Sequence, residues 1–257
     1  MARKTLLAVM FLVFGILISE ALAETVEFKG VGLTLTGKLS KPDGDGPFPA
    51  VVLLHGSLGI TPNSDTWMAR LTSWKYVSLV VDTFSPRGIK EDTSYPFKVS
   101  RESRIQDAYA AKSYLASLKF VDSKRIAVMG WSYGGVATTL VVTTESGIQN
   151  QEDYFRAGIA FYPGCTQEVR ATLKAPLLIL IGEKDTATPP AKCKELENTL
   201  TRDKASHELV FRIYPDTYHG FDMEGLDRKA AGHQMKYNPE SAADAIEQIK
   251  TFLGKHM

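Results

Sequence analysis

The chain is short of net charge: 30 Lys and Arg stand against 29 Asp and Glu in 257 residues. That balance leaves no electrostatic footprint for nucleic acid. Metal-ligand patterns are lacking as well. The five histidines form no i, i+4 pair and join no Cys-His cluster, so neither a metal nor an organic cofactor is expected. Internal repeats and low-complexity tracts are absent, and a chain of this length is commonly one domain around one core. The apolar run near the amino terminus, Leu6 to Ile18, has only 13 residues. As a helix it would span about 20 Å, short of the roughly 30 Å hydrocarbon core of a bilayer.

That run has another reading. Arg3 and Lys4 precede it, and Ala21-Leu22-Ala23 follows. A basic start, a short apolar middle and a small-residue cleavage pattern describe a secretory signal peptide over residues 1–23. The competing reading is an uncleaved anchor. Cleavage after Ala23 would leave a domain of residues 24–257, in contact with a membrane only during export and bound for the periplasm or the exterior. Cysteine is scarce, with Cys165 and Cys193 alone. In an oxidising compartment an even count favours pairing. Cys165 lies just past one predicted strand and Cys193 lies in the helix after the next, so a disulfide is expected over two separate thiols.

The order of elements follows from the apolar pattern. Residues 24–40 alternate apolar and polar around Gly30-Val31-Gly32, which predicts an antiparallel leading pair of strands. Ala50–Leu54, Tyr76–Val81, Arg125–Met129, Arg156–Phe161, Pro176–Ile181 and Glu208–Tyr214 read as further strands, mostly apolar throughout as in a sheet covered on both faces. Helices are predicted over 65–74, from the Ser100 cap to Leu118, over 136–142, from Pro189-Pro190 to Leu200, and after Asn238-Pro239. The alternation predicts a mostly parallel sheet with helices on both faces.

The chain is organised around Gly130-Trp131-Ser132-Tyr133-Gly134-Gly135, set between a predicted strand and a predicted helix. In that context G-x-S-x-G forms a nucleophile elbow, a turn so tight that its glycines cannot carry side chains. Ligands of such sheets bind beyond the carboxyl ends of the strands. His55-Gly56-Ser57, Ser132, Asp185 and His219 all fall there by this reading. The order Ser, acid, His is that of the α/β-hydrolase fold. Ser132 would attack, His219 would take and return its proton, and Asp185 would hold the imidazole. The main-chain N–H groups of Ser57 and Tyr133 are the expected oxyanion donors. Asp82, Asp216 and Asp222 compete for the acid role. Asp82 precedes the nucleophile in sequence, and the other two are too near His219 to reach it from a separate strand end. His55 is expected to position the oxyanion loop, and His207 and His233 to sit at the surface.

Taken together, these motifs resemble the dienelactone hydrolase family. The resemblance is carried by the Gly130–Gly135 elbow, Phe161-Tyr162-Pro163-Gly164, Gly182–Asp185 with Thr188-Pro189, Tyr214-Pro215 through His219-Gly220-Phe221, and the Asp82–Gly88 loop. It implies the roles just given to Asp185 and His219. The founding members carry cysteine as nucleophile, where this chain has Ser132, so the substrate implied is that of the broader carboxylesterase-type members. Arg87 matches an arginine that contacts the substrate carboxylate in some relatives; a structural loop contact is its other reading. Phe84, Tyr133 and Tyr162 could line the pocket or belong to the core. The expectation is an exported serine hydrolase acting on a small-molecule carboxylic ester or lactone. The rivals are a peptidase or thioesterase on the same three residues, and a non-catalytic binding protein that keeps the fold.

Overall fold

The computed structural model describes residues 23–94, 97–143, 154–165, 172–202 and 207–257. The expected signal segment lies outside them except for Ala23, and so does part of the polar stretch 89–99. Two leading strands, β1 (Glu24–Lys29) and β2 (Thr34–Ser40), pair antiparallel as the alternation requires. The next strands are β3 (Phe48–Leu54), β4 (Val77–Asp82), β5 (Val121–Trp131), β6 (Gly158–Phe161), β7 (Leu177–Gly182) and β8 (Leu209–Tyr214). They complete an eight-stranded sheet of order β1-β2-β4-β3-β5-β6-β7-β8, parallel from β4 to β8.

The core is the middle of this sheet. Every residue of β6 and β7 is buried, and so are the last five of β3. Burial at successive positions means that both faces are covered. Each fully buried Val or Leu contributes about 1.5–3 kcal/mol to folding. The covering helices are α1 (Pro62–Ser73), α2 (Arg101–Ser117), α3 (Tyr133–Val141), α4 (Pro190–Arg202) and α5 (Pro239–His256). Two starts are fixed by side-chain caps: Ser100 Oγ accepts the Ser103 N–H, and Asn238 Oδ1 accepts the Ser241 N–H. α1 and α5 meet where Lys250 lies over the Trp74 ring.

The strand order sets the site. From β3 the chain moves outward to β4, then returns across β3 to β5. The sheet therefore reverses direction between β3 and β5, and their carboxyl ends flank the natural binding crevice. β3 ends at Leu54, directly before His55-Gly56-Ser57, and β5 ends at Trp131, directly before Ser132.

One element was not anticipated. The loop 220–237 contains a hairpin of β9 (Asp227–Ala230) and β10 (His233–Lys236). Its turn residues Ala231 and Gly232 both have positive φ, 48° and 82°. The predicted disulfide is present, joining Cys165 after β6 to Cys193 in α4.

Candidate active site

Ser132 sits on the strained turn that the glycine pattern foretells. Its backbone is at φ 51°, ψ −114°, a region that a residue with a side chain adopts only under constraint. A Cβ at Gly130 would run into the Gly134 carbonyl, and one at Gly134 into the Leu54 carbonyl. No side chain fits at either place, so the strand-to-helix turn can close around Ser132. The Ser132 N–H donates to the Phe161 carbonyl at 3.0 Å, which ties the turn to β6.

His219 and Asp185 meet from separate strand ends. His219 Nδ1 lies 2.7 Å from Asp185 Oδ2, and both side chains are buried. The carboxylate is fully engaged. Oδ1 accepts the Ala187 and Thr188 N–H groups, and Oδ2 also accepts the Thr188 hydroxyl. A carboxylate so held can only accept, so Nδ1 of His219 carries the proton and Nε2 keeps its lone pair when the ring is neutral. The main chain of His219 is held by β10, whose Lys236 N–H donates to the His219 carbonyl at 3.0 Å.

Ser132, His219, Ser57 and Tyr162 line one cavity of about 50 Å³, together with Met223 and, from β10, Met235. No hydrogen bond joins Ser132 to His219 among the described residues; such bonds are often long before a substrate is bound. Tyr133 N–H is the first of α3, where no earlier helical carbonyl can take it. The Ser57 carbonyl accepts the Asp92 N–H at 2.7 Å, which fixes the loop that presents Ser57.

The competing acids are occupied elsewhere. Asp82 caps the turn after β4 through the Phe84 and Ser85 N–H groups. Asp216 is exposed and paired with Lys184. Asp222 contacts other side chains, described below. His55 is buried and serves the loop: Nε2 accepts the Thr83 N–H at 3.3 Å and Nδ1 donates to the Gly56 carbonyl at 2.7 Å. Burial, and then the charge of Arg104, push its pKa down to about 3, so it is neutral at working pH.

Arg87 and Phe84 are not among the described residues that line the cavity. Arg87 gives its fork to Asp107, with two contacts of 2.9 Å, and also donates to the Thr83 carbonyl. Phe84 packs edge-on against His55. The Tyr133 ring stacks on Phe97, and its hydroxyl donates to the Val99 carbonyl.

Arg104 escaped the sequence reading. It is buried in the first turn of α2 and donates to the His55 carbonyl. Its Nε and Nη1 have no hydrogen-bond partner among the described residues. The guanidinium instead lies over the faces of Tyr133 and Phe84, at 4.8 and 5.5 Å. Burial lowers its pKa to about 10. A signal existed, because Arg104 and Asp107 share the helical face of Ile105, Ala108 and Ala111.

A strand-turn-helix elbow at the switch point of a mostly parallel sheet, with an acid-histidine pair at neighbouring strand ends, defines an α/β-hydrolase. Comparison with known proteins agrees. Residues 35–257 match the model of the dienelactone hydrolase family. A Synechocystis protein provisionally named carboxymethylenebutenolidase is 24% identical over 233 residues, covering 85% of this chain and 90% of its own. The crystal structure of P91, a dienelactone hydrolase-like promiscuous phosphotriesterase from metagenomic libraries, superposes with a TM-score of 0.73 at 17% identity. It covers 91% of this chain and 98% of its own. A propionate-bound esterase from Thermogutta terrifontis gives 0.68 at 16% identity, over 91% and 94% of the two chains. The chain belongs to the dienelactone hydrolase family, and it is a hydrolase acting on ester bonds.

Proposed function

We propose that the protein is a serine hydrolase that cleaves a small carboxylic ester or lactone through an acyl-enzyme. The observation that carries this reading is the buried 2.7 Å contact of Asp185 with His219, on the same cavity as the strained Ser132. Asp185 holds Nδ1–H, so Nε2 of His219 takes the Ser132 proton as Oγ adds to the ester carbonyl. The oxyanion is received by the Ser57 and Tyr133 N–H groups. Collapse expels the alcohol, or opens the lactone, and His219 delivers its proton to the departing oxygen. Water then repeats the sequence on the acyl-enzyme and frees the acid. Arg87 serves the loop in this reading, because Asp107 already fills its fork.

A fluorophosphonate probe tests the assignment. Wild-type protein should gain one label, read by intact mass, and Ser132→Ala none. His219→Ala should lose about a thousandfold in kcat on p-nitrophenyl acetate while staying folded. Label on the Ser132→Ala protein, or near-normal turnover without His219, contradicts the proposal. We further propose export with cleavage after Ala23. Amino-terminal sequencing of the protein recovered outside the cytoplasm should begin at Glu24; an intact Met1 start would refute it.

A further inference from the structure

Asp222 takes no part in the reaction just proposed, yet its carboxylate collects four donors. Oδ2 accepts from Asn63 Nδ2 at 2.9 Å, Trp67 Nε1 at 3.1 Å and Trp131 Nε1 at 2.8 Å. Oδ1 accepts from the Tyr162 hydroxyl at 2.7 Å. All four donors are neutral. Trp67, Trp131 and Tyr162 are buried. Asp222 itself is half-buried beside the cation Arg70, and the four donors fill the lone pairs that partial desolvation would otherwise leave unmet. An apolar residue would leave the buried Trp67, Trp131 and Tyr162 donors unpaired, at about 1–3 kcal/mol each, so their need for an acceptor explains a polar group here but not what this one is for.

What the donors adjoin does account for it. Trp131 is the residue before Ser132. The Tyr162 ring lies against the His219 ring, centroids 4.4 Å apart. Tyr162 is itself constrained, at φ 34°. Its carbonyl accepts the Thr188 hydroxyl, which also reaches Asp185. Burial, and then the Asp222 charge, hold the Tyr162 phenol well above its ordinary pKa, so it remains a donor. Asp222 follows His219 by three residues, so one carboxylate ties the histidine loop to the elbow strand, to the residue after β6 and to α1.

We infer that Asp222 is a positioning residue: through Trp131 it fixes Ser132, and through Tyr162 it fixes the His219 ring, so that the two are held in attacking register. This rests on Ser132 and His219 being the reacting pair. Loss of Asp222 should slow the attack of Ser132 on any acylating or phosphonylating reagent, with little change in ground-state binding.

The test is the rate constant of fluorophosphonate labelling, with kcat and KM on p-nitrophenyl acetate, for wild type, Asp222→Asn, Tyr162→Phe and the double variant. Asp222→Asn keeps the shape but brings an NH₂ group among N–H donors. Its labelling rate and kcat should fall at least about tenfold, the loss of roughly one charge-assisted hydrogen bond, with KM within about threefold. A purely structural role would lower the labelled fraction and the unfolding midpoint, and leave the rate constant of the folded fraction unchanged. That result overturns the inference. The double variant should be no slower than Asp222→Asn alone, because Asp222 acts on His219 through the Tyr162 hydroxyl; multiplied losses would overturn the route through Tyr162. If Asp222→Asn does not fold, Tyr162→Phe carries the test. Its labelling rate should fall at least about threefold, and a wild-type rate refutes the inference. Wild-type protein that takes no label at Ser132 would instead defeat the reaction on which the inference rests.

Discussion

At the scale of single residues, the reacting groups are the lesser part of the site. Behind the loop that carries Ser57 stands His55, whose ring accepts the Thr83 N–H and whose carbonyl accepts from Arg104. A cation in the first turn of α2 thus reaches the residue two before a proposed oxyanion donor. It lies over the ring faces of Tyr133 and Phe84, and the charges of Asp107 and Asp92 also favour it. Arg104→Met keeps the stem and removes both the charge and the donor. The His55 carbonyl is then left unpaired, a cost of about 1–3 kcal/mol. That cost should emerge as a kcat on p-nitrophenyl acetate reduced about tenfold, with a smaller change in KM. Arg104→Lys, which can still donate, should recover part of the loss. Equal rates for wild type and Arg104→Met would show that the loop holds its shape without this contact.

At the scale of elements, the sequence was readable wherever one rule decided the outcome. Period and composition gave the buried strands, and caps gave the starts of α2 and α5, because each signal is local and strong. The 227–236 hairpin was hidden because its turn uses Ala231-Gly232 at positive φ, where Asn-Gly is the usual marker. Its strands are mostly polar and none of their residues is buried, so no apolar alternation betrays them. The hairpin matters to the cavity, since Met235 of β10 is among the residues that line it. The bridge between Cys165 and Cys193 was legible from strand adjacency, and closing its 28-residue span contributes about 3.5 kcal/mol in the chain-entropy model. Arg104, Asp107 and Asp222 were not legible. A charged residue on an apolar face reads as an interruption until the donors from distant parts of the chain are known.

At the scale of the whole molecule, the charge is nearly balanced, so mild acid brings no large global repulsion. Acid sensitivity between pH 7 and 5 must then arise from individual groups that differ between the folded and unfolded states. His55 is such a group. Folded, its pKa is about 3, lowered first by burial and then by Arg104; unfolded, it returns to about 6.5. A lowered folded value means that the unfolded chain binds the proton first. The contribution of neutral His55 is complete above pH 6.5 and is lost progressively as the pH falls towards 3. Between pH 7 and 5 this one residue should cost about 2 kcal/mol of stability. His207 is shifted in the same direction, but it is less buried, and solvent screens its effect. Urea unfolding at the two pH values should therefore show a drop in wild type that is largely missing in His55→Gln, a variant that can still accept the Thr83 N–H but does not titrate. His55→Gln should be the less stable protein at pH 7 and should lose little more at pH 5. An equal drop in both proteins would place the acid-labile group elsewhere and would leave His55 as a spacer under the Ser57 loop.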